Sequence, residues 1–178
     1  MFAAVEYPGY VCEELTPHGN QYLTSSVPSE HNVKTHALAV LDTLQSQWPD
    51  VPVICVGRSL GCGVALWLST VRNVSGLLLL APYLSIMRVG VRWSLPFVDI
   101  FDNALIAHKC QSKNIIIVHS EDDPVIPIQH SQELVQKLTQ VCSHVKLLHR
   151  RDDGHEAPYL ESTKFVNKIL FHLGLILS

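Results

Sequence analysis

Three residues far apart in the sequence, Ser59, Asp123 and His155, have the types and surroundings needed to activate a hydroxyl nucleophile. A serine hydroxyl attacks poorly until an imidazole accepts its proton. The imidazole in turn needs a carboxylate to fix its tautomer and stabilise its charged form. Ser59 lies in Gly57-Arg58-Ser59-Leu60-Gly61, a G-x-S-x-G pattern in which the serine occupies a strained turn between a strand and a helix. A side chain at Gly57 or Gly61 is expected to collide with backbone where strand and helix close around the turn. Asp123 falls in the acidic turn Ser120-Glu121-Asp122-Asp123-Pro124, and His155 ends Asp152-Asp153-Gly154-His155. Leu60 opens the helix after the serine, so its N–H is the nearest donor for a developing oxyanion.

Each role has a rival in the sequence. His119 also ends an apolar run and competes with His155 as base, although its place before the acidic turn suits bracing that loop. Asp122 competes with Asp123, because one residue of loop register exchanges them. Cys62 has no partner in its vicinity and suits a small buried position on a helix.

The elements that must position these groups alternate along the chain. The apolar run 51–56 ends at the serine turn, and a helix follows to about residue 71. Further strands are expected at 74–81, 114–119 and 144–149, and further helices at 128–140 and 159–175. Upstream, a short buried strand is expected at 1–6 and a loop at 11–30; a helix capped by Ser29 then runs to Trp48. Strand–helix alternation specifies a parallel sheet in a three-layer α/β arrangement, with helices on both faces and any site at the carboxyl ends of the strands. Ser59, Asp123 and His155 each follow a strand on that edge. The long connection 83–112 carries Met87, Trp93, Phe97, Phe101 and Leu105. These residues fit either an apolar pocket wall for an acyl chain or ordinary helix-on-sheet packing.

Composition narrows the class. With 178 residues, 47% of them hydrophobic and 16% charged, the chain is long enough and apolar enough for one folded domain over 1–178. A net charge of -3 without a basic patch argues against nucleic acid as a partner. Five cysteines without C-x-x-C spacing point to reduced thiols and a cytoplasmic setting rather than a disulfide framework, and no metal or cofactor is expected. No apolar run reaches about 18 residues, so no transmembrane segment is expected.

These residues resemble the α/β-hydrolase superfamily, whose nucleophile–acid–base chain order is that of Ser59, Asp123 and His155. The resemblance is to the branch containing the α/β-hydrolase-domain subfamily seventeen protein depalmitoylases and related serine peptidase-like proteins. It rests on Glu6-Tyr7-Pro8-Gly9-Tyr10, Pro28-Ser29-Glu30, the serine turn, Pro82-Tyr83-Leu84-Ser85 with Met87-Arg88-Val89, Phe101-Asp102-Asn103, residues 119–126 and Gly154-His155. It implies Ser59, Asp123 and His155 as a catalytic triad and an acylated substrate, a palmitoylated protein being the most specific. A serine hydrolase cleaving an ester or thioester, with peripheral membrane association compatible, is therefore expected. The alternatives are a non-catalytic scaffold or incomplete fragment, and a serine peptidase-like enzyme.

The resemblance also implies strands before the Tyr-x-Gly-Tyr signature, among them the loop that supplies a second oxyanion N–H. By that comparison the sequence is an amino-terminally truncated α/β-hydrolase fold. Either strand 1–6 pairs directly with the serine strand, or the sheet is incomplete. Val11 stands where the family has glycine. His18-Gly19-Asn20 has letters of the family's oxyanion motif, but it follows the signature rather than preceding it.

Overall fold

The computed structural model describes residues 3–5, 29–91, 99–151, 154–155 and 162–175. The chain divides into two compact units, Met1–Val51 and Pro52–Ser178.

Among its described residues the first unit contains one helix, α1 (Glu30–Gln47). Ser29 caps it as expected: the Ser29 hydroxyl accepts from Asn32 N–H at 3.1 Å, satisfying one of the amides that a helix start leaves unpaired. Val33, Ala37 and Leu41 recur at four-residue spacing as its buried positions. Ala3, Ala4 and Val5, the described part of the strand expected at 1–6, are exposed and lie in no strand. That expectation is corrected: two alanines with one valine have little intrinsic preference for extended structure without a pairing partner.

The second unit is a parallel sheet of β1 (Ile54–Arg58), β2 (Gly76–Leu80), β3 (Asn114–Ser120) and β4 (His144–Arg150), in the order β1-β2-β3-β4. Between the strands lie α2 (Leu60–Val71), α3 (Ile86–Val91), α4 (Asn103–Ile106) and α5 (Gln129–Leu138), and α6 (Thr163–His172) follows β4. β2 and β3 read GLLLL and NIIIVHS, continuous apolar runs of the kind that only a strand covered on both faces requires.

Alternation sorts the core into two layers. Leu78, Leu80, Ile116, Val118 and Leu148 pack with Ile169 and Leu173 from α6 and its carboxyl-terminal end. Leu77, Leu79, Ile115 and Ile117 point the other way and are fully buried, on the side where α2 packs against β1 and β2, and α5 against β3 and β4. Each such leucine or isoleucine contributes about 1.5–3 kcal/mol through burial. The three-layer parallel α/β architecture expected from the alternation is the one observed.

The serine strand β1 is the outermost strand among the described residues, and Val56 is 52% exposed there. No further strand pairs with β1 among those residues.

Candidate active site

Registered strand ends set the site. Arg58 pairs with Leu80, and Leu80 with Val118, so β1, β2 and β3 finish nearly level. Two bonds hold the chain beyond those ends. Ser59 N–H donates to Leu80 C=O at 2.9 Å, and Ala81 N–H donates to Val118 C=O at 2.8 Å. Ser59 has φ 48° and ψ -119°, a positive φ that L-residues avoid. The hydroxyl-bearing residue is therefore held in a strained turn, half-buried, directly before α2.

Gly57 permits that turn. A Cβ there would overlap the Gly61 carbonyl oxygen and lie 2.7 Å from Cys62 Cα. Both obstacles are backbone, which cannot rotate away as a side chain can. Gly63 has a separate purpose that the sequence did not reveal. A Cβ there would come within 2.6 Å of Tyr83 Oη and 2.9 Å of Phe101 Cβ, so Gly63 admits the connection after β2 against α2. Cys62 is fully buried, its thiol donating to Gly57 C=O at 3.2 Å and Leu80 C=O at 3.3 Å, and burial pushes its pKa up. It serves as packing and not as an attacking group.

Asp123 and His155 meet at the same edge. His155 Nδ1 lies 2.8 Å from Asp123 Oδ2, the aspartate side chain fully buried and the histidine side chain 12% exposed. Asp123 Oδ1 accepts from Val125 N–H and Ile126 N–H, both at 2.8 Å. Burial alone would raise the Asp123 pKa. The bonds from Ile126, His155 and Val125 outweigh it and hold the carboxyl below its usual range. An ionised carboxylate can only accept, so His155 Nδ1 carries the proton and Nε2 is left as an acceptor.

Asp122, the rival of Asp123, is oriented differently. Its Oδ1 accepts from Ser120 Oγ and, at 3.2 Å, from Gly154 N–H, which ties the acidic turn to the histidine loop. The rival histidine, His119, is fully buried beneath the site, with Nε2 3.3 Å from Asp123 Oδ2. Arg58, the variable residue between Gly57 and Ser59, sends a guanidinium N–H to His155 C=O at 3.0 Å. It thereby connects the serine turn to the histidine loop across 97 residues of sequence, a contact that no local pattern announces.

Leu60, the expected oxyanion donor, is the first residue of α2, so its N–H has no acceptor within the helix. His18-Gly19-Asn20 lies outside the described residues.

Of the residues expected on the connection 83–112, the described ones, Met87, Phe101 and Leu105, do not line the cavity beside it. Phe101 is buried against α2, whereas Leu105 is 66% exposed. Leu84, Arg88 and Val89 form one wall of a cavity of about 770 Å³, and Pro127, Gln129, His130 and Glu133 form the other. Both walls follow the carboxyl ends of β2 and β3, the edge that carries Ser59. Trp93 and Phe97 lie outside the described residues.

The serine hydrolase family pattern matches residues 13–155, a span that holds Ser59, Asp123 and His155. The chain belongs to the serine hydrolase family. Solved structures share the fold of this chain at low sequence identity. A protein of unknown function from Agrobacterium tumefaciens, assigned to the alpha/beta hydrolases, is 22% identical with a TM-score of 0.53, over 84% of this chain and 59% of that one. A monoacylglycerol lipase from Paleococcus ferrophilus is 15% identical with a TM-score of 0.58, over 80% of this chain and 76% of that one. An alpha-beta serine hydrolase homologue from Coxiella burnetii is 16% identical with a TM-score of 0.58, over 89% and 65%. The chain thus spans 59% of the Agrobacterium protein's length. No curated protein matches its sequence. Among the described residues, no helix is long and apolar enough to cross a membrane.

The buried ionisable groups make stability pH-dependent. Burial lowers the pKa values of His119 and His130 below the ordinary 6.5, so both are neutral in the fold while an unfolded chain would protonate them. Asp123 sits below its ordinary 3.8. For all three groups the unfolded chain binds more protons than the folded one, so each stabilising contribution is lost as pH falls. The melting temperature is expected to decline first as pH drops through about 6.5 and again below about 4. Thermal denaturation between about pH 8 and pH 3 checks this. A melting temperature that rises on acidification would contradict it.

Proposed function

We propose that this serine hydrolase cleaves an ester or thioester through an acyl-enzyme, with Ser59 as nucleophile. His155 Nε2 takes the serine proton as the hydroxyl oxygen bonds to the carbonyl carbon, then returns it to the departing alkoxide or thiolate. Asp123 holds the imidazole in the required tautomer and stabilises its cationic form, and Leu60 N–H is one oxyanion donor. Water attacks the acyl-enzyme in the second half, His155 again accepting a proton. The observation that carries this reading is the 2.8 Å bond between His155 Nδ1 and buried Asp123 Oδ2, formed at the strand edge where Ser59 is held at positive φ. Sequence resemblance alone supports the finer reading, a fatty acyl thioester on protein cysteine hydrolysed in the cytoplasm at a membrane face.

A panel of p-nitrophenyl acyl esters, a palmitoyl thioester peptide and peptide amides tests it. The expected result is turnover of the ester and thioester members with amides untouched. Preferential cleavage of amides would replace this reading with a peptidase, and turnover of none by folded protein would favour a scaffold.

A further inference from the structure

Among the described residues, His119 is a fully buried polar group for which the proposed triad has no task. Its side chain is fully buried at the carboxyl end of β3, and each ring nitrogen has a polar contact. Nε2 lies 2.8 Å from Ile126 C=O and 3.3 Å from Asp123 Oδ2, while Nδ1 lies 2.6 Å from Ser131 Oγ on α5. A carbonyl and an ionised carboxylate can only accept, so Nε2 must carry a proton. Nδ1 faces a hydroxyl, which can donate. Burial disfavours a second proton on the ring, so Ser131 O–H donates to Nδ1 and the ring stays neutral.

Asp123 accepts from three donors, the Val125 and Ile126 amides at Oδ1 and His155 Nδ1–H at Oδ2, while His119 Nε2–H bonds to Ile126 C=O with Nε2 3.3 Å from Oδ2. We infer that His119 is a positioning residue for the proposed reaction: its Nε2–H holds the Ile126 carbonyl, and so keeps Ile126 N–H on Asp123 Oδ1 and the carboxylate aimed at His155. This inference rests on the triad reading above. Ile126 takes part twice, its N–H on Oδ1 and its C=O on His119, so the acid loop, β3 and α5 are tied through one imidazole. Among the described residues, Asp122, bonded to Gly154 N–H, and Arg58, on His155 C=O, flank the cluster, and His130 is close enough to His119 for their charges to interact.

With fewer donors a carboxylate becomes more basic and stabilises the neighbouring imidazolium more strongly. Removing the His119 N–H releases Ile126 N–H from Oδ1 and therefore moves the acid limb of the pH–rate profile to higher pH. Glutamine keeps an N–H at the place of Nε2, whereas leucine does not. Ester turnover by His119→Gln is expected to stay within about threefold of the parent, and that by His119→Leu to fall about 10²-fold. The acid limb of His119→Leu is expected to shift upward by about half a unit. A His119→Leu profile that superimposes on the parent, or a His119→Gln variant as impaired as His119→Leu, would overturn the inference.

Nitrogen-15 NMR of the unmodified chain supplies a readout independent of turnover and of variant folding. The His119 ring is expected in the neutral Nε2–H form at about pH 8, as its contacts require. An Nδ1–H ring at that pH would overturn the inference even if turnover is normal. Absence of turnover with the ring in the expected form would strike the triad reading and leave the His119–Ile126 bond beside Asp123 standing.

Discussion

Replacing Asp123 by asparagine is expected to lower ester turnover about 10⁴-fold while the protein stays folded. The size follows from where the amide must point. Val125 and Ile126 N–H groups both require an acceptor at Oδ1, so the asparagine oxygen is drawn there and its NH₂ takes the place of Oδ2. That NH₂ then faces His155 Nδ1, which can satisfy it only as an acceptor. The His155 proton moves to Nε2, the atom that must be bare to take the serine proton. The same NH₂ also faces His119 Nε2–H, an unfavourable pairing of donors. Steady-state kinetics with a p-nitrophenyl ester, beside a thermal melt to confirm folding, checks this. A loss of less than about tenfold would mean that Asp123 does not set the tautomer of the base.

Ser59→Ala is expected to have the larger effect, removing at least about 10⁵-fold of the same turnover. Nothing else at the turn can replace the hydroxyl, because the Cys62 thiol is buried and raised in pKa. Stability separates catalysis from strain at this position. Alanine inherits the positive φ of Ser59, whereas glycine occupies it without cost. Ser59→Gly is therefore expected to be inactive as well, yet more stable than Ser59→Ala by about 1 kcal/mol. Comparison of the two variants by denaturant unfolding checks this, and equal stabilities would contradict the strain at the turn.

The described fold was legible wherever the signal was local. Helix α1 at Glu30–Gln47 lies inside the span that Ser29 and the four-residue apolar spacing indicate, and β3, α5 and β4 fall within one or two residues of the periodic runs. The serine strand is shifted, to Ile54–Arg58 from 51–56. Gly57 and Arg58 pair with Leu79 and Leu80 despite their weak strand preference, so pairing with a neighbour overrode composition. The last helix is shorter than its apolar pattern, spanning Thr163–His172, because Ser162 caps it. Ala3–Val5 failed as a strand for the opposite reason: an apolar stretch without a partner specifies nothing.

Candidate site residues divide in the same way. Ser59 and Leu60 are candidates from a contiguous motif, and Asp123 and His155 from their places after strands. Arg58 on the His155 carbonyl, Gly63 beneath Tyr83 and Phe101, and the His119–Ser131 bond join parts of the chain that only the folded sheet brings together. Periodicity reports which face a residue occupies and not what it meets there.

Labelling of the purified 178-residue chain with a fluorophosphonate probe is the most direct test of an activated serine, since the probe forms its bond without knowledge of the natural substrate. Covalent modification mapped to Ser59 by peptide mass spectrometry, and lost in Ser59→Ala, is the predicted result. Folded protein that stays unlabelled, or that carries the probe at another residue, would contradict the account.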